Sequence, residues 1–276
     1  MEDTILFSFR DDNFYVHHTL TKNPDPNHFS FRSHSHNMHE IYYFLGGDAD
    51  FVVEGNIHSL KSGTMIVAPR GQTHNILIRE GAETYERFAI LFSPNMLPEG
   101  FDFVIRAAAE GARAFSLNER EQIWMEETFH LMKGGQDEKE TGRLISSVVA
   151  ALLSKLSALL RERSDVSAEN DALVGEIIRF IHQNLTEEWH LDSLEKALFR
   201  NKVYLNRRFK AVMGCSIWEY TMRKRIFAAQ HTLYQSRSIA EAYRASGFQD
   251  YSVFYRRYKK YIGISPSEEL KRFRDE

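Results

Sequence analysis

The 276-residue chain has a single cysteine, Cys215. One thiol excludes a disulfide framework and suits a reducing, cytoplasmic setting. No apolar run approaches the ~20 residues that cross a bilayer. The opening Met1-Glu2-Asp3-Thr4 is acidic rather than leader-like, so neither membrane insertion nor export is expected. Excess charge is also scarce, with a formal net charge of only −3. That near-neutrality conceals a split. Residues 172–276 carry 19 Lys+Arg against 12 Asp+Glu, which leaves 16 against 26 for residues 1–171 from totals of 35 and 38. An acidic front and a basic back direct any nucleic-acid contact to the back. Hydrophobic content of 43% and charged content of 26% are ordinary for a globular protein, and the length suggests two domains.

What the chain does have is repetition. Tyr204-Leu-Asn-Arg-Arg-Phe-Lys-Ala-Val-Met-Gly-Cys-Ser216 is answered forty-nine residues later by Val253-Phe-Tyr-Arg-Arg-Tyr-Lys-Lys-Tyr-Ile-Gly-Ile-Ser265. Arg207 and Arg208 return as Arg256 and Arg257, Gly214 as Gly263 and Glu219 as Glu268. A constant offset over so many positions marks two copies of one supersecondary unit. Asn201 and Asp250 suit helix N-caps, and the glycines suit helix ends. Leu205 and Phe209, like Phe254 and Tyr258, are four apart and should face a core. The basic residues then fall on another face.

Residues 1 to about 110 read as β. Glu40-Ile-Tyr-Tyr-Phe-Leu45, Asp50-Phe-Val-Val-Glu54, Thr64-Met-Ile-Val-Ala68 and Arg87-Phe-Ala-Ile-Leu-Phe92 are short apolar runs, divided by turns containing Gly46-Gly47, Gly55 and Gly63. Such spacing favours a sandwich or barrel. Within this region His34-Ser-His-Asn-Met-His-Glu40 spells HxHxxxE with Gly47 beyond it. Gly63, Pro69, Gly71 and His74 spell Gly-x5-Pro-x-Gly-x2-His. Together they resemble the two motifs of the cupin β-barrel, except that Ile78 stands where the family pattern ends in Asn.

If HxHxxxE lies on one strand, alternation puts Arg32, His34, His36, Glu40 and Tyr42 on one face, with His74 arriving from another strand. His39 then faces away, and His28 and His58 are expected at the surface. Three imidazoles and a carboxylate suit a divalent transition metal, and the cupin resemblance implies such a site at His34, His36, Glu40 and His74. The same groups equally suit the lining of a pocket for an organic effector, or the stabilisation of a barrel mouth. No cofactor is required by either alternative.

Helical periodicity then takes over, over Asn118–Met132 and Thr141–Arg163, divided by a polar turn. The second pattern carries Leu144, Ile145, Val148, Val149, Leu152, Leu153, Leu156, Leu159 and Leu160. Part of this stripe should pack on the barrel, and the remainder is a candidate homodimer face. Arg163 to Asn170 is short and polar, and reads as a linker.

Beyond it, Leu173 to Ile181 and Trp189 to Leu198 mark helices before the first repeat, and Trp218 to Tyr234 marks a connecting helix. Ser238 to Phe248 leads into the second repeat through Gly247. Helix, tight turn and capped helix, twice over, form two helix-turn-helix units. Gly247-Phe248, Phe254-Tyr-Arg-Arg-Tyr-Lys259 and Gly263-Ile-Ser-Pro-Ser-Glu268 resemble the AraC/XylS family of bacterial transcription regulators over about 100 C-terminal residues. Glu195, Phe199 and the Ala242-Tyr243 pair depart from its usual pattern.

The expected fold is multidomain α+β, with four parts. A cupin-like sensor barrel spans 1–115, a helical hairpin for packing or dimerisation 116–164, a linker 165–171, and an all-α double helix-turn-helix domain 172–276. The resemblance implies a cytoplasmic regulator that binds promoter DNA and a small-molecule effector, sugar-like in the commonest case, and that meets RNA polymerase if it activates. Candidate base-edge residues are Lys202, Val203, Asn206 and Arg207, then Tyr251, Ser252, Tyr255 and Arg256. Arg208, Lys210, Arg257, Lys259 and Lys260 are candidates for phosphate. The alternatives are a metal-dependent cupin enzyme, for which the histidine set speaks, and a sugar-binding module acting through protein contacts. Neither needs the doubled helix-turn-helix or the charge split.

Overall fold

The computed structural model describes residues 1–26, 28, 31–111, 113–162 and 169–275. Most of the expected linker, 165–171, therefore lies outside the described residues. The front half is built on two facing antiparallel sheets. The larger has the order β1(Glu2–Arg10), β2(Phe14–Lys22), β8(Thr84–Phe92), β3(His39–Gly47), β6(Thr64–Ala68), β9(Ala114–Ser116). The smaller runs β10(Glu169–Asn170), β5(Asn56–Ser59), β4(Ala49–Val53), β7(His74–Ile78).

The apolar runs are continuous because these strands are covered on both faces, and alternation then divides each run in two. In β3, Ile41 and Tyr43 join a core with the helical hairpin, whereas Tyr42 and Phe44 face the barrel interior. Met65 and Val67 of β6 follow Ile41, and Ile66 follows Tyr42.

Three features were not expected from the sequence. The long strands β1, at the sheet edge, and β2, between β1 and β8, are one, and helix α1(Asp102–Glu110) within the β region is another. The third departure concerns HxHxxxE, which is not on a single strand. Residues 35–38 are irregular, β3 begins at His39, and His34 makes an isolated bridge with His74. His58 is buried rather than exposed, because it stands on the inward side of β5 opposite Phe51 of the barrel interior.

The hairpin consists of α2(Glu119–Met132) and α3(Glu138–Glu162). A capping box starts α2, in which Asn118 accepts from the Glu121 amide and the Glu121 carboxylate accepts from the Asn118 amide. By length and composition α3 could cross a membrane, but Ile145, Val148, Val149, Leu152, Leu153, Leu156 and Leu159 are buried in the core that the hairpin shares with the outer face of the larger sheet. Its apolar stripe is spent inside one chain, which leaves little of it for the expected partner face. Ile123 and Leu131 of α2 are the exposed aliphatics of the hairpin.

The helical half comprises α4(Ala172–Gln183), α5(Leu191–Leu198), α6(Lys202–Met213), α7(Ile217–Ser236), α8(Ile239–Arg244), α9(Tyr251–Ile262) and α10(Pro266–Asp275). Its two helix-turn-helix units, the expected reading units α5–α6 and α8–α9, are joined by the long α7. Arg225 on α7 ties them together. Its guanidinium donates to the carbonyls of Leu185, Glu187 and Gly247 at 2.7, 2.6 and 2.7 Å. Gly247 has φ 70°, and a Cβ there would lie 2.8 Å from the Thr186 main chain, so the second turn requires glycine. Tyr243 is accommodated, packing on Tyr251 and Phe254 and donating to the Gln249 carbonyl at 3.0 Å.

The two halves are in contact. Val52 of β4 belongs to the core of α4–α7, with Ile57 and Leu77 packed against it. At the β4–β5 turn Glu54, with φ 47°, reaches into α7. There its carboxylate lies 2.7 Å from Lys224 Nζ and accepts from Tyr220 Oη, while its other contact is the Thr73 amide at 2.5 Å.

Candidate effector cavity and nucleic-acid interface

A cavity of ≈ 420 Å³ opens between the sheets of the barrel. His34, His36, Glu40, Tyr42 and His74 line it, as the sequence suggested; Arg32 does not. Arg32 lies instead in a cleft toward the helical half. Strand alternation placed it wrongly because the backbone is irregular around His34.

The sequence reading also missed His17 and Arg87, which complete the polar lining from β2 and β8. These strands pair Thr19 with Arg87 and His17 with Ala89, and Arg87 Nη1 donates to Thr19 Oγ1 at 2.6 Å. The signal was present in Tyr15, His17 and Thr19, polar residues of one parity, and in an arginine at the head of the β8 apolar run. Ile5, Phe51, Ile76 and Leu91 supply the apolar part of the wall.

The three histidines are oriented alike. Nδ1 of His34, His36 and His74 donates to the main-chain carbonyls of Arg32, Met38 and Gln72 at 3.0, 2.8 and 3.1 Å. Carbonyls accept only, so Nδ1 carries the proton and each Nε2 offers a lone pair. Glu40 Oε2 lies 3.2 Å from His36 Nε2 and 3.1 Å from His74 Nε2. The buried His74 Nε2 makes no hydrogen bond among the described residues.

Burial alone would raise the Glu40 carboxyl, yet the charge and Nε2–H bonds that His36 and His74 offer when protonated outweigh burial and hold it well below the usual range. His34 is exposed at the cavity, yet the protein mass around it, followed by the nearby His74, lowers it to about 3. His17 is lowered to about 4 by burial and then by Arg87. Lone pairs from several rings thus converge on a carboxylate, an arrangement that a cation between them would satisfy.

In the reading units, the side chain of Asn201 caps α6 by accepting from Val203 and Tyr204, and that of Asp250 caps α9 by accepting from Val253. Leu205, Phe209, Phe254 and Tyr258 are fully buried. Arg207, Tyr251, Ser252, Arg256 and Lys259 are exposed, with Tyr255 half-buried beside Tyr251. Val203 is 70% exposed.

Three candidates are diverted. Asn206 Oδ1 accepts from the Ile217 amide at 3.0 Å, so this side chain caps α7 instead of facing outward. Lys210 lines the cleft toward the barrel. Arg208 pairs with Asp171 at 2.5 Å. Lys202 is paired with Asp192 but stays at the surface. Two exposed aromatics were not among the candidates. Tyr204 stands in the first turn of α6, and Phe199, 87% exposed, ends α5 in the left-handed region at φ 51°.

A helix-turn-helix domain family matches residues 194–272, and a cupin domain family matches residues 23–88. The HTH-type transcriptional activator AarP of Providencia stuartii is 35% identical over 100 residues, covering 35% of this chain and 72% of AarP. The chain belongs to the AraC/XylS family of transcription regulators. The Msm operon regulatory protein of Streptococcus mutans is 30% identical over 122 residues, 44% of this chain; the chain thus spans 43% of that protein. The HTH-type transcriptional activator RhaS of Citrobacter koseri is 22% identical over 253 residues, 87% of each chain. The matched region of AarP corresponds in length to the reading units, and that of RhaS takes in the barrel as well.

Proposed function

We propose that this chain is a sequence-specific DNA-binding transcription regulator whose barrel cavity takes a small-molecule effector. The observation that carries the reading is the duplicated, capped helix with a buried apolar face and an exposed basic one. Residues 1–115 would form the sensor, 116–164 the packing hairpin, 165–171 the linker and 172–276 the DNA-binding domain. Recognition helices α6 and α9 enter successive major-groove segments. Val203 and Arg207 of α6, with Lys202 at its start, face base edges, as do Tyr251, Ser252, Tyr255 and Arg256 of α9. Lys259 engages phosphate, which positions the protein without reading sequence.

AarP and RhaS are named as activators, and we extend activation, with RNA polymerase as partner and a cytoplasmic setting, to this chain. A homodimer would use α2, where Ile123 and Leu131 stand exposed. Turnover has no place in this reading.

The cavity combines Arg87, histidines and Glu40 with Phe51, Ile76 and Leu91, a division that suits a small sugar-like metabolite with polar edges and apolar C–H faces. To regulate, the effector must favour one arrangement of the protein over the other. The donor set also fits a divalent transition metal: Nδ1–H bonds to carbonyls fix the rings of His34, His36 and His74, with Glu40 as the anionic member. Such an ion would supply a Lewis-acid anchor for an effector oxygen. The protein's own residues orient that oxygen and exclude water.

Calorimetric titration of Zn²⁺ or Ni²⁺ into the full chain tests the metal. Stoichiometric binding that is lost in His74→Ala supports it, and absence of binding would leave the histidines as lining for an organic ligand. The effector reading is tested by His34→Ala, which should blunt the ligand's effect on DNA affinity and spare affinity itself. Parallel loss of both would assign His34 to folding instead.

A further inference from the structure

The apolar side chains of the helical half fall into two clusters. Trp189 belongs to one, with Phe180 edge-on to it at 5.3 Å. Met222 and Phe248 belong to the other, with Val253 packed against it. A cavity of ≈ 220 Å³ lies at the seam, walled by Trp189, Met222, Phe248, Val253 and the exposed Trp218. It touches both helix-turn-helix units and the helix that joins them. Trp189 stands just before α5, Trp218 and Met222 are on α7, and Val253 is in the first turn of α9.

Trp189 sets the polarity of the site. It is only 4% exposed, and its Nε1 meets no acceptor among the described residues. An indole N–H can only donate, and left unanswered in an apolar wall it carries the desolvation cost of a missing hydrogen bond. Arg225 also lines the cavity. Each of its guanidinium nitrogens already donates to a carbonyl, those of Leu185, Glu187 and Gly247, so it frames the site rather than anchoring a ligand. The remaining charges are Glu188 and Asp250, exposed carboxylates at the mouth.

These features define a ligand. Aromatic side chains and Met222 suit a flat apolar body. The Trp189 N–H calls for one acceptor oxygen on that body, and an acidic mouth disfavours an anion. We infer that the seam between the two helix-turn-helix units binds a small uncharged aromatic molecule with one carbonyl or amide oxygen, which accepts from Trp189 Nε1. The site is separate from the barrel cavity. Its occupant touches the start of the first unit and the reading helix of the second, and so props them at one separation. The effect on DNA rests on the regulator reading; binding of the ligand does not.

Benzamide is the probe, with benzoate and benzylamine for comparison, each titrated into the full-length protein free of DNA and read by calorimetry and tryptophan fluorescence. Two of the three tryptophans line the site, so emission should change on binding, and should still change in Trp124→Phe. Saturable binding near about 1 mM is expected for a ligand of about nine heavy atoms. Benzoate, which adds a negative charge, and benzylamine, which lacks the acceptor, should each bind at least about tenfold more weakly. Trp189→Phe keeps a ring but removes the N–H, and should weaken benzamide by about tenfold. Val253→Phe fills the cavity with Trp189 left in place, and should abolish binding. Saturating benzamide should change the affinity of the full chain for a selected DNA by at least about fivefold, and should not do so in Val253→Phe. Equal binding of benzylamine, tighter binding of benzoate, a non-saturating response, or undiminished binding in Val253→Phe would overturn the inference. Saturable binding with DNA affinity unchanged would overturn the coupling of the two units. Loss of all sequence preference on DNA would count against the regulator reading and leave the calorimetric result standing.

Discussion

Replacing Glu54 by Gln keeps the shape of the β4–β5 turn and removes only charge, so it isolates what holds the barrel to α7. The Glu54 and Lys224 side chains are 9% and 15% exposed, and their charged atoms are 2.7 Å apart. At an effective dielectric of about 20, that separation gives an attraction of about 6 kcal/mol. Desolvation of the two ions cancels much of it. What remains in a double-mutant cycle should be about 1–3 kcal/mol. The single change costs more, about 3–5 kcal/mol, because it strands a buried ammonium. That cost is capped by the free energy of docking, since the halves can part without unfolding.

Calorimetric melts of Glu54→Gln, Lys224→Met and the double variant read both quantities. The wild type should melt in one transition. Glu54→Gln should melt lower, by about 6–12 °C for a loss of about 3 kcal/mol, or split into two transitions. The double variant should recover part of the loss.

Acidity provides a second reading. Burial would raise the Glu54 carboxyl, but Lys224, then the bonds from Tyr220 and Thr73, hold it below its ordinary 4.5. A lowered folded-state value contributes stability that is complete above 4.5 and is lost as pH falls through the folded value. The gap between wild type and Glu54→Gln should therefore be constant from pH 7 down to about 5 and close below it. A midpoint unchanged in Glu54→Gln, or strictly additive effects of the two single changes, would refute the latch.

Asn206→Ala should destabilise the helical domain by about 1 kcal/mol, through loss of its bond to the Ile217 amide, and leave base preference intact; thermal melts and a binding-site selection read the two effects. Arg256→Ala should cost about 1–3 kcal/mol and relax preference at one base pair, whereas Lys259→Ala should weaken all sequences alike and lower the salt slope by about 1. Identical selection profiles for Arg256→Ala and the wild type would remove Arg256 from base reading.

The parts of this molecule legible in the sequence are those with local causes. The two reading helices follow from four-residue apolar spacing, Asn201 and Asp250 as caps, and Gly214 and Gly263 as ends, all within one turn of the residues they serve. The histidine cluster is legible through its motif but not through strand alternation: the chain is irregular from Ser35 to Met38 and the rings converge nonetheless. Arg32 was misplaced by the same assumption.

The remainder depends on distant chain. Arg87 and His17 join the cavity only because β2 pairs with β8 across some seventy residues. Asn206 turns inward because the N-terminus of α7 happens to lie beside it. The Glu54–Lys224 pair depends on how two halves dock, and nothing in either local pattern encodes that.

The central claim is that residues 172–276 read DNA sequence. Its most direct test is the affinity of the full chain for DNA selected from a random pool, measured against scrambled DNA of the same length at one near-physiological salt concentration. The account predicts a specific-to-nonspecific ratio of about 10³ or more, with protected segments on one face of the duplex. Equal, weak binding to both DNAs would contradict it.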